Sequence, residues 1–354
     1  MKKIRKMSKS FRSNLITYGI VIAAFVVIMI LQAGGALSNS LSGQLVPICA
    51  YIVMAVSLNL TVGVLGELSL GHAGFMSVGA FSGVVAATCM GGSPDPLRLI
   101  IGILVGGVFA GIAGLIVGVP VLRLRGDYLA IVTLAFGEII KDIVNCLYIG
   151  LDVNGLHFSF KDAASLNLAE GGSVVINGPM GATAIPKISS FVAGFILIIF
   201  TLFVVLNLIK SRSGRAIMAL RDNRIAAESV GIPITKYKLM AFIISAVLAG
   251  MAGALFAMNY STVVANKFNF NTYILVLVFV VLGGMGNIRG SIIAATVLTV
   301  LPELLRAFED FRMLIYAVVL IVVMIASNNP KIQQYLNNIG NWFRSWGKRR
   351  KGDA

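Results

Sequence analysis

SRSGRAIMALRDNRIAAESVGIPITKYKLMAFIISAVLAGMAGALFA, residues 211–257, changes character part-way along. Up to Lys238 it carries six Lys or Arg residues; from Leu239 to Ala257 it carries no charge. Nineteen uncharged residues make a helix about 28 Å long, close to the roughly 30 Å hydrocarbon core of a bilayer. The second half therefore reads as a membrane span and the first as the polar loop that precedes it. Within the loop, Ser213 is placed to cap a helix running through Arg215 to Val230 and stopped by Gly231 and Pro233. Ala216, Ala219, Leu220, Ala227 and Val230 recur at three- and four-residue spacing, interrupted by Asn223, with Arg221, Asp222, Arg224 and Glu228 supplying a charged side. Such a helix either rests in the lipid headgroup layer or fills a groove in a partner.

The whole chain agrees with that stretch. Of 354 residues, 58% are hydrophobic and 12% charged, with mean hydropathy +0.92. A soluble protein of this length cannot cover itself with so little polar surface, which excludes a soluble enzyme, a disordered chain and a coiled coil. Apolar runs near 14–33, 45–62, 71–90, 98–119, 128–149, 190–209, 239–258, 272–284, 289–305 and 313–327 predict an all-α, polytopic membrane protein of about ten spans. The first run follows a basic segment like a secretory signal, but Ile16–Leu31 exceeds the usual apolar length and reads as an uncleaved span. Cys49, Cys89 and Cys146 lie in or beside spans, an odd number suited to packing and to neither a disulfide frame nor a metal site.

The surplus of 29 Lys and Arg over 14 Asp and Glu is positional. Residues 1–13, 210–238 and 329–354 hold 19 of the 29, and alternation of ten spans puts all three on one side. By the positive-inside rule that side is cytoplasmic, with both termini there. Nucleic-acid binding is set aside, because the basic groups flank spans without aromatic interleaving. The transmembrane domain is thus 14–328, with basic ends 1–13 and 329–354. The connection 150–188 on the other face, carrying Asp152, Asp162, Glu170 and a solvated His157, is too polar to span and forms a small cap.

Polar residues inside spans are site candidates by default. Glu138 sits about ten residues into its span, near mid-membrane. Lys141, three positions on, either satisfies it as a structural pair or leaves it for a solute pathway. GVLGELSLGHAG, residues 63–74, sets Gly63, Gly66, Gly71 and Gly74 around Glu67, Ser69 and His72. That pattern lets a span stop and restart, as a gate exposing backbone to a solute; the alternative is close packing with Glu67 bonded to His72. Asn59 is either an interhelical hydrogen bond or a pathway ligand. GGMGNIRG, residues 283–290, makes a second break through Gly284 and Gly286, and the two breaks suggest a weak internal repeat of the same orientation.

Four blocks, in this order along the chain, resemble the permeases of branched-chain amino acid ABC transporters. They are LNLTVGVLGELSLGHAGFMSVGAF (58–81), RLRGDYLAIVTLAFGEI (123–139), the opening stretch 211–257, and VLGGMGNIRGS (281–291). The resemblance implies a bacterial plasma-membrane importer subunit for leucine, isoleucine and valine. Its partners would be a second permease chain, two cytoplasmic ATP-binding subunits, an extracytoplasmic solute-binding protein and membrane lipid. ATP and Mg²⁺ would bind the partner subunits and no cofactor this chain, which has no GxxxxGK[ST] loop. The loop would couple to the ATPase through Arg215, Arg221, Ala226, Ala227, Glu228 and Gly231. One departure bears on substrate. The family's outer-loop T-G-G-x-x-G-L and Ile-Pro are represented here by Ile176–Ala182 and Ile185-Pro186, altered at the first and last positions. Related permeases for a nucleoside, urea or a sugar therefore stay open, as does an ion-coupled transporter using Glu138 and Glu67. No catalytic residue is expected.

Overall fold

The computed structural model describes residues 9–35, 38–124, 126–169, 171–305 and 311–328. The basic segments 1–8 and 329–354, together with Arg125, Glu170 and Arg306, lie outside the described residues. Each of the ten apolar runs is represented by a helix: α1 (Lys9–Ala33), α2 (Asn39–Asn59), α3 (His72–Cys89), α4 (Asp95–Val121), α5 (Asp127–Asn145) and α6 (Phe191–Lys210), then, beyond two short helices α7 (Arg212–Asp222) and α8 (Arg224–Ser229), α9 (Ile234–Ala257), α10 (Phe270–Gly283), α11 (Ile288–Leu304) and α12 (Arg312–Asn328). Among the described residues, seven helices are long and apolar enough to cross a membrane. The other three are α5, which carries Asp127, Glu138, Lys141 and Asp142, and α11 and α12, of 17 residues each. The described residues fall into two compact units divided after Val297, and every site discussed below lies in the first.

Helix α2 is the centre of that unit. From Leu45 to Leu65 every residue but Tyr51 is buried, as expected of a helix that is apolar all round. Helices α3, α4 and α9 pack against one another beside it, and small residues set their spacing. A ladder at four-residue intervals on α4 meets both neighbours: Gly102 and Gly106 lie against Gly83 and Gly79 of α3, and Gly106, Ala110, Gly114 and Gly118 against Ala254, Gly250, Ala246 and Phe242 of α9. Added Cβ atoms there would fall 2.1 to 2.9 Å from neighbouring atoms. In lipid, where burying apolar surface earns little, such close backbone approach supplies the dispersion that holds helices together. The side chains of α1 that are described are mostly exposed; Phe25 stacks on Phe191 and Phe195 of α6, ring centroids 5.1 and 3.9 Å away.

The connection between α5 and α6 is a cap, and its core is a sheet. Strands β1 (Tyr148–Asp152), β2 (Gly155–Ser159) and β3 (Ser173–Asn177) pair antiparallel in the order β2-β1-β3, with a register shift at Ile149/Gly150. Ala182, in the stretch that departs from the family pattern, bridges both Ile176 and Val263, so this loop is tied to the α9–α10 connection. His157, read as solvated, is 34% exposed at its side chain, and its Nε2 lies 3.1 Å from Asp152 Oδ1. Asp152 also accepts from the N–H groups of Asn154 (2.8 Å), Gly155 (3.1 Å) and Ala169 (3.1 Å). These bonds, Ala169's first, hold its carboxyl below the ordinary value of 3.8. A depressed acid stabilises the fold above its unfolded value and loses that contribution as pH falls through the folded one. Protection of the 148–159 hairpin against amide exchange, corrected for intrinsic rates, is therefore expected to hold at pH 6 and drop below about pH 4. Asp152→Asn should remove most of that pH dependence.

Candidate functional site

The last turn of α2 changes hydrogen-bond pattern. Leu60–Leu65 is a π turn, closed by Gly66 at φ +80, where a side chain would be strained. Residues 66–71 are not helical, and α3 begins at His72, so the interruption predicted between Gly63 and Gly74 is present. A helix that stops in this way leaves carbonyls without intrahelical donors. The Gly63 carbonyl accepts a hydrogen bond from Arg221 Nη1 at 3.0 Å, across 158 residues of sequence. Arg221 Nε and Nη2 both donate to Asp222 Oδ1, at 3.2 and 3.1 Å.

The second break sits against the first. Gly284 and Gly286 have φ +88 and +81, and α11 starts at Ile288. Gly286 N–H donates to Asn59 Oδ1 at 2.8 Å, while Asn59 Nδ2 donates to Ser291 Oγ at 2.7 Å. Asn59 is fully buried and uses both ends of its amide to tie α2 to the second break, which is the interhelical bond among its two readings. A Cβ on Gly63 would lie 2.1 Å from the Gly286 nitrogen, so the two breaks touch through backbone.

Two polar side chains of the first break, Glu67 and His72, find partners on α9. Glu67 does not bond His72, as the packing alternative had it; it forms an ion pair with Lys238. Lys238, counted from sequence as a loop charge, is in the first two turns of α9 and 4% exposed. His72 pairs through Nε2 with Ser245 Oγ at 2.7 Å. The Ser245 hydroxyl has one proton and donates it to the Ser57 carbonyl, which can only accept, so His72 must donate from Nε2. Its Nδ1, the Ser69 hydroxyl and Glu138 Oε1 are buried without a hydrogen-bond partner among the described residues. Leu70 N–H donates to Thr133 Oγ1 at 3.0 Å. A Cβ on Gly71 would lie 2.5 Å from the Thr133 carbonyl oxygen, and one on Gly74 2.9 Å from Gly137 Cα. Helix α5 thus lies on the break one residue from Glu138, whose Oε2 pairs with Lys141. Lys238 and Ser245 carried too little signal to be singled out: one is a basic residue at the edge of a span, the other a lone hydroxyl inside it.

The loop after α6 departs from its predicted shape. Ser211, two residues before the expected cap, accepts from Gly214 N–H at 3.0 Å and starts α7. Asn223 ends α7 and caps α8 by accepting from Ala226 N–H at 3.1 Å, so there are two helices where one was predicted. Gly231, at φ +82, closes α8: its N–H bonds the Glu228 carbonyl and Ile232 N–H the Ala227 carbonyl, 3.0 and 3.1 Å. Leu220, Ala227 and Ile234 form a small core, flanked by Ala219, Ile232 and Tyr237. Val230, placed by spacing on the inner face, is instead 74% exposed, and Ile225 is 81% exposed. Arg215 is exposed and donates to the Lys210 carbonyl at 3.1 Å. Glu228 is exposed beside Ile225 and Val230 in sequence, whereas Ala227 is buried.

Fold and site together define a polytopic helical membrane protein in which an amphipathic loop is bonded to the ends of interrupted spans. The chain belongs to the family of branched-chain amino acid transport system permease components, whose model matches residues 40–327. It is 37% identical over 292 residues to the high-affinity branched-chain amino acid transport system permease protein LivM of Salmonella typhimurium and to that of Escherichia coli. Each match covers 78% of this chain and 66% of the relative, just under two thirds of its length. A more distant relative, 26% identical over 212 residues, is the nucleoside ABC transporter permease protein NupC of Lactococcus lactis, covering 55% of this chain and 60% of the relative. No solved structure matches the chain. All four blocks of the sequence resemblance fall inside the matched region.

Proposed function

We propose that this chain is the membrane-spanning permease subunit of an ATP-binding cassette importer for leucine, isoleucine and valine. The observation that carries the reading is the 211–233 loop: a folded, polar element whose inner face is packed and whose outer face presents Ile225 and Val230 beside Glu228. Large apolar side chains held out on a charged loop suit a groove in a partner protein. The partner is a cytoplasmic ATP-binding subunit, one of two, which supplies ATP, Mg²⁺ and the hydrolysis. The loop and both termini are then cytoplasmic in a bacterial inner membrane. The 148–177 sheet faces the solute-binding protein, and a second permease chain completes the pathway. Glu67, Ser69, His72 and Glu138 are the pathway candidates on this chain, with Asn59 holding the breaks in register. Transport proceeds by alternating access, ATP-driven closure of the nucleotide-binding pair being transmitted through the loop. A related permease for another small solute, such as a nucleoside or a sugar, is the second reading, supported by the nucleoside relative and left open by the altered stretch 176–182.

Reconstitution of the chain with its partner permease, ATP-binding subunits and binding protein, followed by uptake of labelled leucine and of labelled nucleoside, tests both. Leucine uptake that requires hydrolysable ATP is expected; uptake by the chain alone, driven by an ion gradient, overturns the importer reading. Glu228→Arg reverses a charge on the docking face and is expected to lower co-purification of the ATP-binding subunit at least tenfold, with membrane insertion intact. Wild-type assembly and uptake in that variant would remove Glu228 from the docking surface.

A further inference from the structure

The loop residues divide by direction. Glu228, Ile225 and Val230 face outward, and Arg215 caps the helix before the loop. Arg221, whose side chain is 41% exposed, also reaches inward: its guanidinium bonds the loop to the first interrupted span. Nη1 holds the Gly63 carbonyl while Nε and Nη2 grip Asp222 Oδ1, which fixes the plane of the fork. Its stem lies on the first break: a Cβ at Gly66 would be 2.5 Å from Arg221 Cγ. The second break is within reach of the same group, since a Cβ at Gly286 would be 3.8 Å from Arg221 Nη1.

We infer that Arg221 is a positioning residue, a strut that converts displacement of the 211–233 loop into displacement of both interrupted spans at once. This rests on the importer reading above. Three features make a strut of the contact. Helices α7 and α8 share one core and a closed C-terminal turn, so a push on α8 moves α7 with it. The carbonyl that Arg221 holds lies in a π turn, where a bond can be exchanged without dismantling a regular helix. Finally, Gly63 touches Gly286, and Gly286 is bonded to Asn59, so whatever moves Gly63 moves the second break. Docking and transmission therefore belong to different residues of the same loop.

The experiment uses the complete complex in liposomes, reading subunit co-purification, ATP hydrolysis, and solute imported per ATP hydrolysed. Arg221→Met keeps a stem over Gly66 and removes every donor. The complex is expected to assemble at wild-type yield and to hydrolyse ATP, while import per ATP falls about tenfold or more, the loss expected for one charge-assisted hydrogen bond. Arg221→Lys retains a charged donor group, a single ammonium nitrogen without the fork, and is expected to recover part of that loss. A second readout is amide exchange across residues 63–69 with and without a nucleotide-trapping inhibitor. A nucleotide-dependent change is expected in wild type and should be absent in Arg221→Met, which a merely stabilising contact would not predict. Unchanged import per ATP, or loss of the ATP-binding subunits from Arg221→Met, overturns the proposal, the latter by making Arg221 part of the docking surface. ATP-independent import by the wild-type complex overturns the importer reading itself, and the strut with it.

Discussion

Gly250→Leu is expected to destabilise the folded bundle by about 3 kcal/mol. A Cβ at this position would lie 2.2 Å from Ala110 Cβ and 2.6 Å from the Gly106 carbonyl oxygen, while the Gly250 carbonyl oxygen itself is 2.1 Å from where a Cβ on Gly79 would stand. None of these obstacles is the end of a flexible side chain, so relief requires α9 to back away from α4 and α3 together. Overpacking that moves backbone costs about 1–3 kcal/mol or more. Separating these helices also loses contacts along the whole Gly102–Gly118 ladder, so a loss at the top of that range is expected. Thermal unfolding in detergent, followed by monodispersity on size exclusion, measures it. Gly19→Leu is the comparison, since a Cβ there meets nothing within 4 Å, and it should change stability by less than about 0.5 kcal/mol. Equal behaviour of the two variants would show that close helix approach is not what holds this bundle together.

The second large effect concerns the Glu67–Lys238 pair. Lys238 side-chain exposure is 5% and that of Glu67 17%, so neither charge is well hydrated. Removing one partner of a buried pair strands the other and costs about 3–5 kcal/mol, whereas replacing both with apolar groups is often neutral. Lys238→Met alone is therefore expected to destabilise strongly, and Glu67→Leu with Lys238→Met to regain most of the loss in the same unfolding assay. Transport separates two roles: if Glu67 only fastens the break to α9, the double variant transports, and if Glu67 meets solute, it is stable and inactive. Additive losses in the double variant would mean that the two charges do not interact.

Much of this architecture was legible because lipid imposes a simple rule. A span needs about 20 apolar residues, and the ten runs read from composition each have a helix. The interruptions were legible too, from glycines grouped around Glu67 and around Asn287, of which Gly66, Gly284 and Gly286 take up positive φ. What escaped is what depends on partners far away in sequence. Lys238 reads as one more charge of a basic loop until the fold brings Glu67 to it from 171 residues away. The strand Tyr148–Asp152 follows directly on a helix and contains Gly150, so its alternation is too short and too broken to separate from the end of a span. Val230 falls at a helical interval from Ala227, but that spacing holds only if one helix runs from Arg215; Asn223 restarts the count. The ladder from Gly102 to Gly118 was passed over as part of an apolar run, although its four-residue spacing is the signal that marks the α3–α4–α9 contact.

The π turn at Leu60–Leu65 makes the length of α2 a setting of angle. Each residue added to or removed from a helix swings everything after it by about 100°. Deleting one residue from this turn would restore ordinary winding, rotate Glu67 away from Lys238, and withdraw the carbonyl that meets Arg221. Among relatives of this chain, a one-residue gap within these six positions would mark a protein whose loop grips its spans by some other means. An alignment that slides the gap into a neighbouring stretch would conceal that change.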